Sequence, residues 1–77
     1  MSSSIKDNNF VKLLQSKNKS VKLFADTILT LKDSQGFYSS LYGEIMYLDD
    51  KGLEVLINEL SEYNFKDKLD VVMYLEG

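Results

Sequence analysis

Three close pairs of carboxylates are the residues of this chain best suited to chemistry: Asp49/Asp50, Glu59/Glu62 and Asp67/Asp70. Two carboxyls across a cleft can part their acidities and work as general acid and general base, as in glycoside hydrolysis. That needs a site which desolvates one member of a pair. Here each pair falls where helix caps and solvated helix faces are expected, so capping is the simpler reading. A nucleophilic route lacks its parts. Serines are plentiful, but the 77 residues hold no histidine and no cysteine, so no serine has the usual base to activate it. The four glycines, Gly36, Gly43, Gly52 and Gly77, are scattered and form no phosphate-cradling loop. The stretch LDDKGLE (48–54) has only a faint likeness to a calcium loop, without its alternating acids and closing glutamate. With no His or Cys, a structural zinc site is also excluded. The expectation is therefore a protein that is no enzyme, with no catalytic residues, no cofactor and no metal.

The composition narrows the partners. All nine basic residues are lysines, so no guanidinium fork exists for phosphate or guanine. Hydrophobic residues make up 44% of the chain and nine are aromatic, enough for a folded domain. No apolar run reaches the roughly 18 residues of a membrane span. The opening MSSSIKDNNF has no apolar signal core, so the expected location is the cytoplasm, with no membrane contact. The formal net charge is −3, but it is unevenly placed. Residues 1–32 carry six lysines and two aspartates, whereas residues 33–77 carry three lysines and ten acids. Two halves that attract each other would explain this, and so would an acidic surface aimed at a basic partner. Lys12, Lys17, Lys19 and Lys22 cluster, but the helix placed to read a groove, 35–48, has one Glu and no Lys, which argues against direct nucleic-acid binding.

The elements that must position these residues follow from periodicity. Phe10, Val11, Leu13 and Leu14 share a side of a helix within Ile5 to Ser16, with Asp7 able to cap it. Val21, Phe24, Ala25, Ile28 and Leu31 fall at helical spacing in 21–32, with Ser20 as the cap. A helix over 35–48, capped by Asp33 or Ser34, puts Phe37, Tyr38, Leu41, Tyr42, Ile45, Met46 and Leu48 on its inner half. Asp49 and Asp50 cap the next helix, whose apolar side is Leu53, Leu56, Ile57, Leu60 and Tyr63. Asp67 and Asp70 form a capping box for 69–75, a segment so apolar that it should be buried all round or meet a partner. The fold class is all-α, a compact bundle of four to five short helices in one domain over 1–77, with residues 1–4 disordered. The expected core is Phe24, Ile28, Leu41, Ile45, Leu56, Leu60, Val72 and Met73. An α+β alternative, with a small sheet from 21–32 and 69–75, stays open.

Two surfaces emerge as candidate partner sites. On the outer side of 35–48, Ser39, Ser40 and Gly43 are small, and Tyr47 follows one turn on. Such spacing lets another backbone approach closely, with tyrosine as an anchor. The second is the acidic set Glu54, Glu59, Glu62 and Asp67.

From Ser34 onward the chain resembles a loose group of small helical proteins of phages and mobile elements from Gram-positive bacteria. SQGFYSSLY (34–42) and FKDKLDVVMYLEG (65–77), separated by an acidic helix, carry the resemblance. It covers 34–77 and does not reach residues 1–33. Members carry a basic residue where Ser40 stands, so whatever that charge does is missing here. The resemblance implies an inhibitor or adaptor of host machinery, of the anti-CRISPR or anti-restriction type. The expected function is a non-enzymatic module that binds a host protein, such as a defence nuclease that itself binds nucleic acid, and occludes it with an acidic helical face. A small transcriptional regulator using Lys12–Lys22, and a homodimeric assembly factor using 69–75, are the alternatives.

Overall fold

The computed structural model describes residues 8–77, and five α-helices account for most of them. These are α1 (Asn8–Leu14), α2 (Lys19–Leu31), α3 (Gly36–Met46), α4 (Asp50–Leu60) and α5 (Lys68–Glu76). No strand occurs among the described residues, so the fold is all-α and the sheet alternative over 21–32 and 69–75 falls away. The Asp7 cap, Ile5 and the expected disorder of residues 1–4 lie outside the described residues.

Helix α2 is the centre, packing against each of the other four. Its buried side comprises Ser20, Val21, Phe24, Ala25, Thr27 and Ile28. The two polar members are satisfied: Thr27 Oγ1 donates to the Leu23 carbonyl (2.7 Å), and Ser20 is bonded as described below. Its cap is Asn18 and not Ser20, because the Asn18 Oδ1 accepts from the backbone N–H groups of Ser20 (2.8 Å) and Val21 (3.2 Å). Phe10 and Leu13 of α1, Tyr38 and Ile45 of α3, Leu53 and Leu60 of α4, and Val71 of α5 complete the core with Phe65.

Two of the expected caps hold. Asp49 accepts from the Gly52 N–H (2.7 Å) at the start of α4. At α5 the box is reciprocal: Asp67 accepts from the Asp70 N–H (3.1 Å), and Asp70 accepts from the Lys66 N–H (2.8 Å). Helix α3 departs from expectation. Its N-cap is Gln35, without a side-chain cap, and neither Asp33 nor Ser34 fills that role.

The core expectation holds for Phe24, Ile28, Ile45 and Leu60, while Leu41 and Leu56 pack against the core partly buried. Met73 is corrected: it is 63% exposed, and Val72 is only half-buried. Helix α5 lays one side on α2, through Val71 and Leu75, and about 160° around the helix nothing covers Leu69 and Met73. Phe37 is likewise half-exposed, and Val11 and Leu14 lie at the margin of the α1 contact.

Three long-range polar contacts fix the arrangement. The Asn9 amide donates to the carbonyls of Ile45 (2.7 Å), Leu48 (3.0 Å) and, at longer range, Met46 (3.3 Å), closing the end of α3. The buried Ser20 hydroxyl donates to the Tyr63 carbonyl (2.7 Å) and accepts from the Phe65 N–H (2.9 Å), tying the α4–α5 connection to α2. The Tyr38 hydroxyl donates to Glu76 Oε2 (2.7 Å), joining α3 to α5.

Ser20→Ala leaves a buried N–H and a carbonyl without partners, so it should cost about 2–3 kcal/mol in urea unfolding. Ser61→Ala is the control. Its hydroxyl bonds the Ile57 carbonyl on an exposed side, and its loss should change stability by less than about 0.5 kcal/mol.

Candidate functional site

The outer side of α3 carries the first candidate surface. At 100° per residue, Gly36, Ser40, Gly43 and Tyr47 fall within about 60° of one another, with Ser39 and Glu44 on the two flanks. Ser39, Ser40 and Glu44 are exposed, and Tyr47 is 90% exposed although its side chain is large and apolar in body. Both glycines of the stripe stand over open space: a Cβ on Gly36 or Gly43 would meet nothing within 4 Å. Gly52 differs, since a Cβ there would lie 3.1 Å from the Leu48 side chain and 3.2 Å from the capping Asp49 oxygen. Gly52 thus serves the fold. At Gly43 no neighbouring atom requires the missing Cβ, although glycine in a helix interior costs about 0.8–1 kcal/mol relative to alanine. Gly36 was missed from sequence, because at a helix start glycine has an ordinary explanation.

The acidic candidates do not gather into one array. Glu54 borders a shallow depression with Lys12, Asp50 and Leu53, where Lys12 and Asp50 form an exposed ion pair at 3.4 Å. Glu59 lies about 140° from Glu54 around the α4 axis, on the side that meets Tyr74. Glu62 is exposed just beyond α4, and Asp67 is committed to capping α5. No three carboxylates among the described residues converge as a metal site would need. The acids nearest Tyr47 along the chain are Asp49, Asp50 and Glu44.

Beside Glu59 is an aromatic cluster that periodicity did not reveal. Tyr63 stacks on Phe65 (centroids 5.5 Å, planes 3° apart), and Tyr74 tilts against both at 4.6 and 5.4 Å. Phe65 is buried at 5% exposure, while Tyr63 and Tyr74 keep an accessible edge. Burial, then hydrogen bonding to Tyr63 and the neighbouring Glu59 charge, push the Tyr74 phenol up to about 12. Burial likewise acts first on Tyr38, and the bonded Glu76 carboxylate adds to it, again to about 12. Helical spacing places Tyr63 on the apolar side of the fourth helix, but that helix ends at Leu60, and Tyr63 stacks on Phe65 in the irregular segment beyond it.

A further apolar surface lies on α5. Leu69 and Met73 are both 63% exposed. Toward the end of the helix, Leu75 and Glu76 border an open hollow with Gln35 and the half-exposed Phe37.

No family model, curated protein or solved structure matches the chain. The fold defines the class: a small all-α module, with five helices among the described residues. None of its described helices is long and apolar enough to cross a membrane.

The two phenols set a pH dependence. Each is held above its ordinary value near 10 in the folded state, so the folded chain binds more protons than the unfolded one in the alkaline range. The stability this adds is complete below about pH 10 and is lost as pH rises through about 12. Alkaline denaturation curves of wild type and Tyr38→Phe should therefore converge with rising pH, and an ultraviolet titration should lose one late-ionising phenol in each of Tyr38→Phe and Tyr74→Phe.

Proposed function

We propose that the chain is a non-enzymatic protein-binding module that docks through the outer side of α3. The observation that carries this reading is the stripe Gly36, Ser40, Gly43 and Tyr47: two helix glycines over open space, ending in a tyrosine 90% exposed. A partner helix or loop can approach the α3 backbone closely there, with Tyr47 as the anchor. Glu44, Asp49 and Asp50 lie within three residues of Tyr47 and give the end of α3 an acidic rim, which suits a basic partner surface. The narrower form of the proposal takes the partner to be a host defence nuclease and the chain to be phage-borne, an inhibitor acting by occlusion in the host cytoplasm. It rests on the resemblance over 34–77 together with this acidic rim. Glu59 and Glu62 belong to a separate edge of the molecule, so their contribution is tested apart.

Gly43→Ala separates folding from binding. It should raise stability by about 0.8–1 kcal/mol in urea unfolding, while a bulkier Gly43→Leu should block close approach. Immobilised wild-type chain, exposed to nuclease-treated host lysate, should retain a protein that Gly43→Leu and Tyr47→Ser both lose. Identical protein sets on all baits would reject the α3 surface. Retention that disappears only with Glu59→Lys/Glu62→Lys would move the site to the α4–α5 edge.

A second reading is favoured by a specific observation, the uncovered Leu69 and Met73 on α5. In that reading the chain is a homodimeric assembly factor joined through α5. Light scattering should then show a dimer mass that Leu69→Glu/Met73→Glu returns to the monomer. A monomer at millimolar concentration rejects it.

A further inference from the structure

The lysine-rich end of the molecule holds a groove that neither surface above uses. It lies where the end of α1 meets the outer side of α2 and has a volume of about 280 Å³. Leu14 and Leu23 supply its apolar lining, and Lys19, Lys22 and Asp26 supply its polar margin. Leu14 is 38% exposed and Leu23 is half-buried, so the apolar lining is accessible.

The electrostatics are one-sided. The Asp26 carboxylate is held by the Lys68 ammonium at 3.3 Å, and Lys68 also donates to Thr30 Oγ1 at 3.2 Å. The single acid of the groove is thereby neutralised from the far side. Lys19 and Lys22 have no carboxylate within 4 Å among the described residues, and neither does Lys17 in the adjoining turn. Two ammonium groups without a carboxylate within 4 Å among the described residues, Lys19 and Lys22, thus border an apolar hollow wide enough for a leucine or phenylalanine side chain, with Lys17 in the turn that precedes α2. An apolar lining is wasted on a phosphate backbone. The groove also has no aromatic side chain on which a base could stack, and no arginine for a base edge. Aliphatic anchors with carboxylates one turn away match both features together.

We infer that the groove between α1 and α2 binds an acidic amphipathic peptide segment of a partner protein, taking an apolar side chain against Leu14 and Leu23 and pairing its carboxylates with Lys17, Lys19 and Lys22. The site is separate from α3, so this inference and the α3 reading stand or fall independently.

The test is fluorescence anisotropy of the full chain with a labelled synthetic amphipathic helix of repeating Leu and Glu. Saturable binding is expected, weakened about tenfold or more by Lys19→Glu/Lys22→Glu, as for truncation or reversal of close charge pairs. Leu14→Ser should weaken it too, and Lys51→Glu and Tyr47→Ser should leave it unchanged. Circular dichroism confirms that each variant is folded. Three outcomes overturn the proposal: no saturable binding, equal binding of a Glu/Ser peptide without leucine, or tighter binding of a single-stranded oligonucleotide lost in the same double variant. The last two would make the lysines a general polyanion patch.

Discussion

Everything in this fold leans on the buried side of α2. Val21, Phe24, Ala25 and Ile28 form an apolar strip along a thirteen-residue helix, and each of the other helices covers part of it. Few other interhelical contacts share the task. A chain of this size buries only about 60% of the surface its unfolded form exposes, so a single strip of core must be used from several directions at once. That is why α1, α3, α4 and α5 are short and why each buries only one side.

Short helices expose many orphan backbone groups for their length. The usual solution at a C-terminus is a residue in the left-handed region, most often glycine. None of the described residues adopts a positive φ. The chain adds tertiary bonds to the local turn bonds that end its helices, such as the Ser61 N–H on the Ile57 carbonyl (2.9 Å). Asn9, 36 residues away from Ile45 in sequence, closes α3, and Glu76 at the end of α5 meets Tyr38. Ser20 does the same for the irregular segment between α4 and α5. Among the described residues, no buried side-chain polar atom lacks a partner. At Asn9 and Ser20 a backbone group is satisfied by the same contact that docks two elements, which couples local order to the global fold.

Charge is handled differently. Among the described residues the basic and acidic halves meet through three ion pairs, Lys12–Asp50, Lys68–Asp26 and, between chain neighbours, Lys32–Asp33, each with at least one well-exposed partner. Such pairs contribute little, about 0–1 kcal/mol each. The asymmetry of the sequence is therefore not spent inside the molecule. It is carried on the surface, with exposed Lys17, Lys19 and Lys22 around the α1–α2 turn and exposed Glu54, Glu59 and Glu62 on separate sides of α4 and just beyond it.

The sequence by itself determined the elements and their inner sides. Helical spacing in 37–48 and 53–60 leaves one choice of apolar face, whereas the spacing in 21–32 also admits a strand, and Asp49 and Asp67 mark starts that the backbone obeys. The exposure of Ser39, Ser40 and Tyr47 follows from the same period. Tertiary structure alone decided what no local period encodes. Phe65 sits in the polar stretch NFKDK, yet it is buried because Ser20, 45 residues earlier, captures its N–H. Met73 has the composition of a core residue, yet it is exposed because α5 rests on α2 through its other side. The division of Glu54 from Glu59 and the groove at Leu14 and Leu23 belong to the same class. Periodicity reports which side of a helix is apolar. Which neighbour covers that side, and how much of it, is a property of all five helices together.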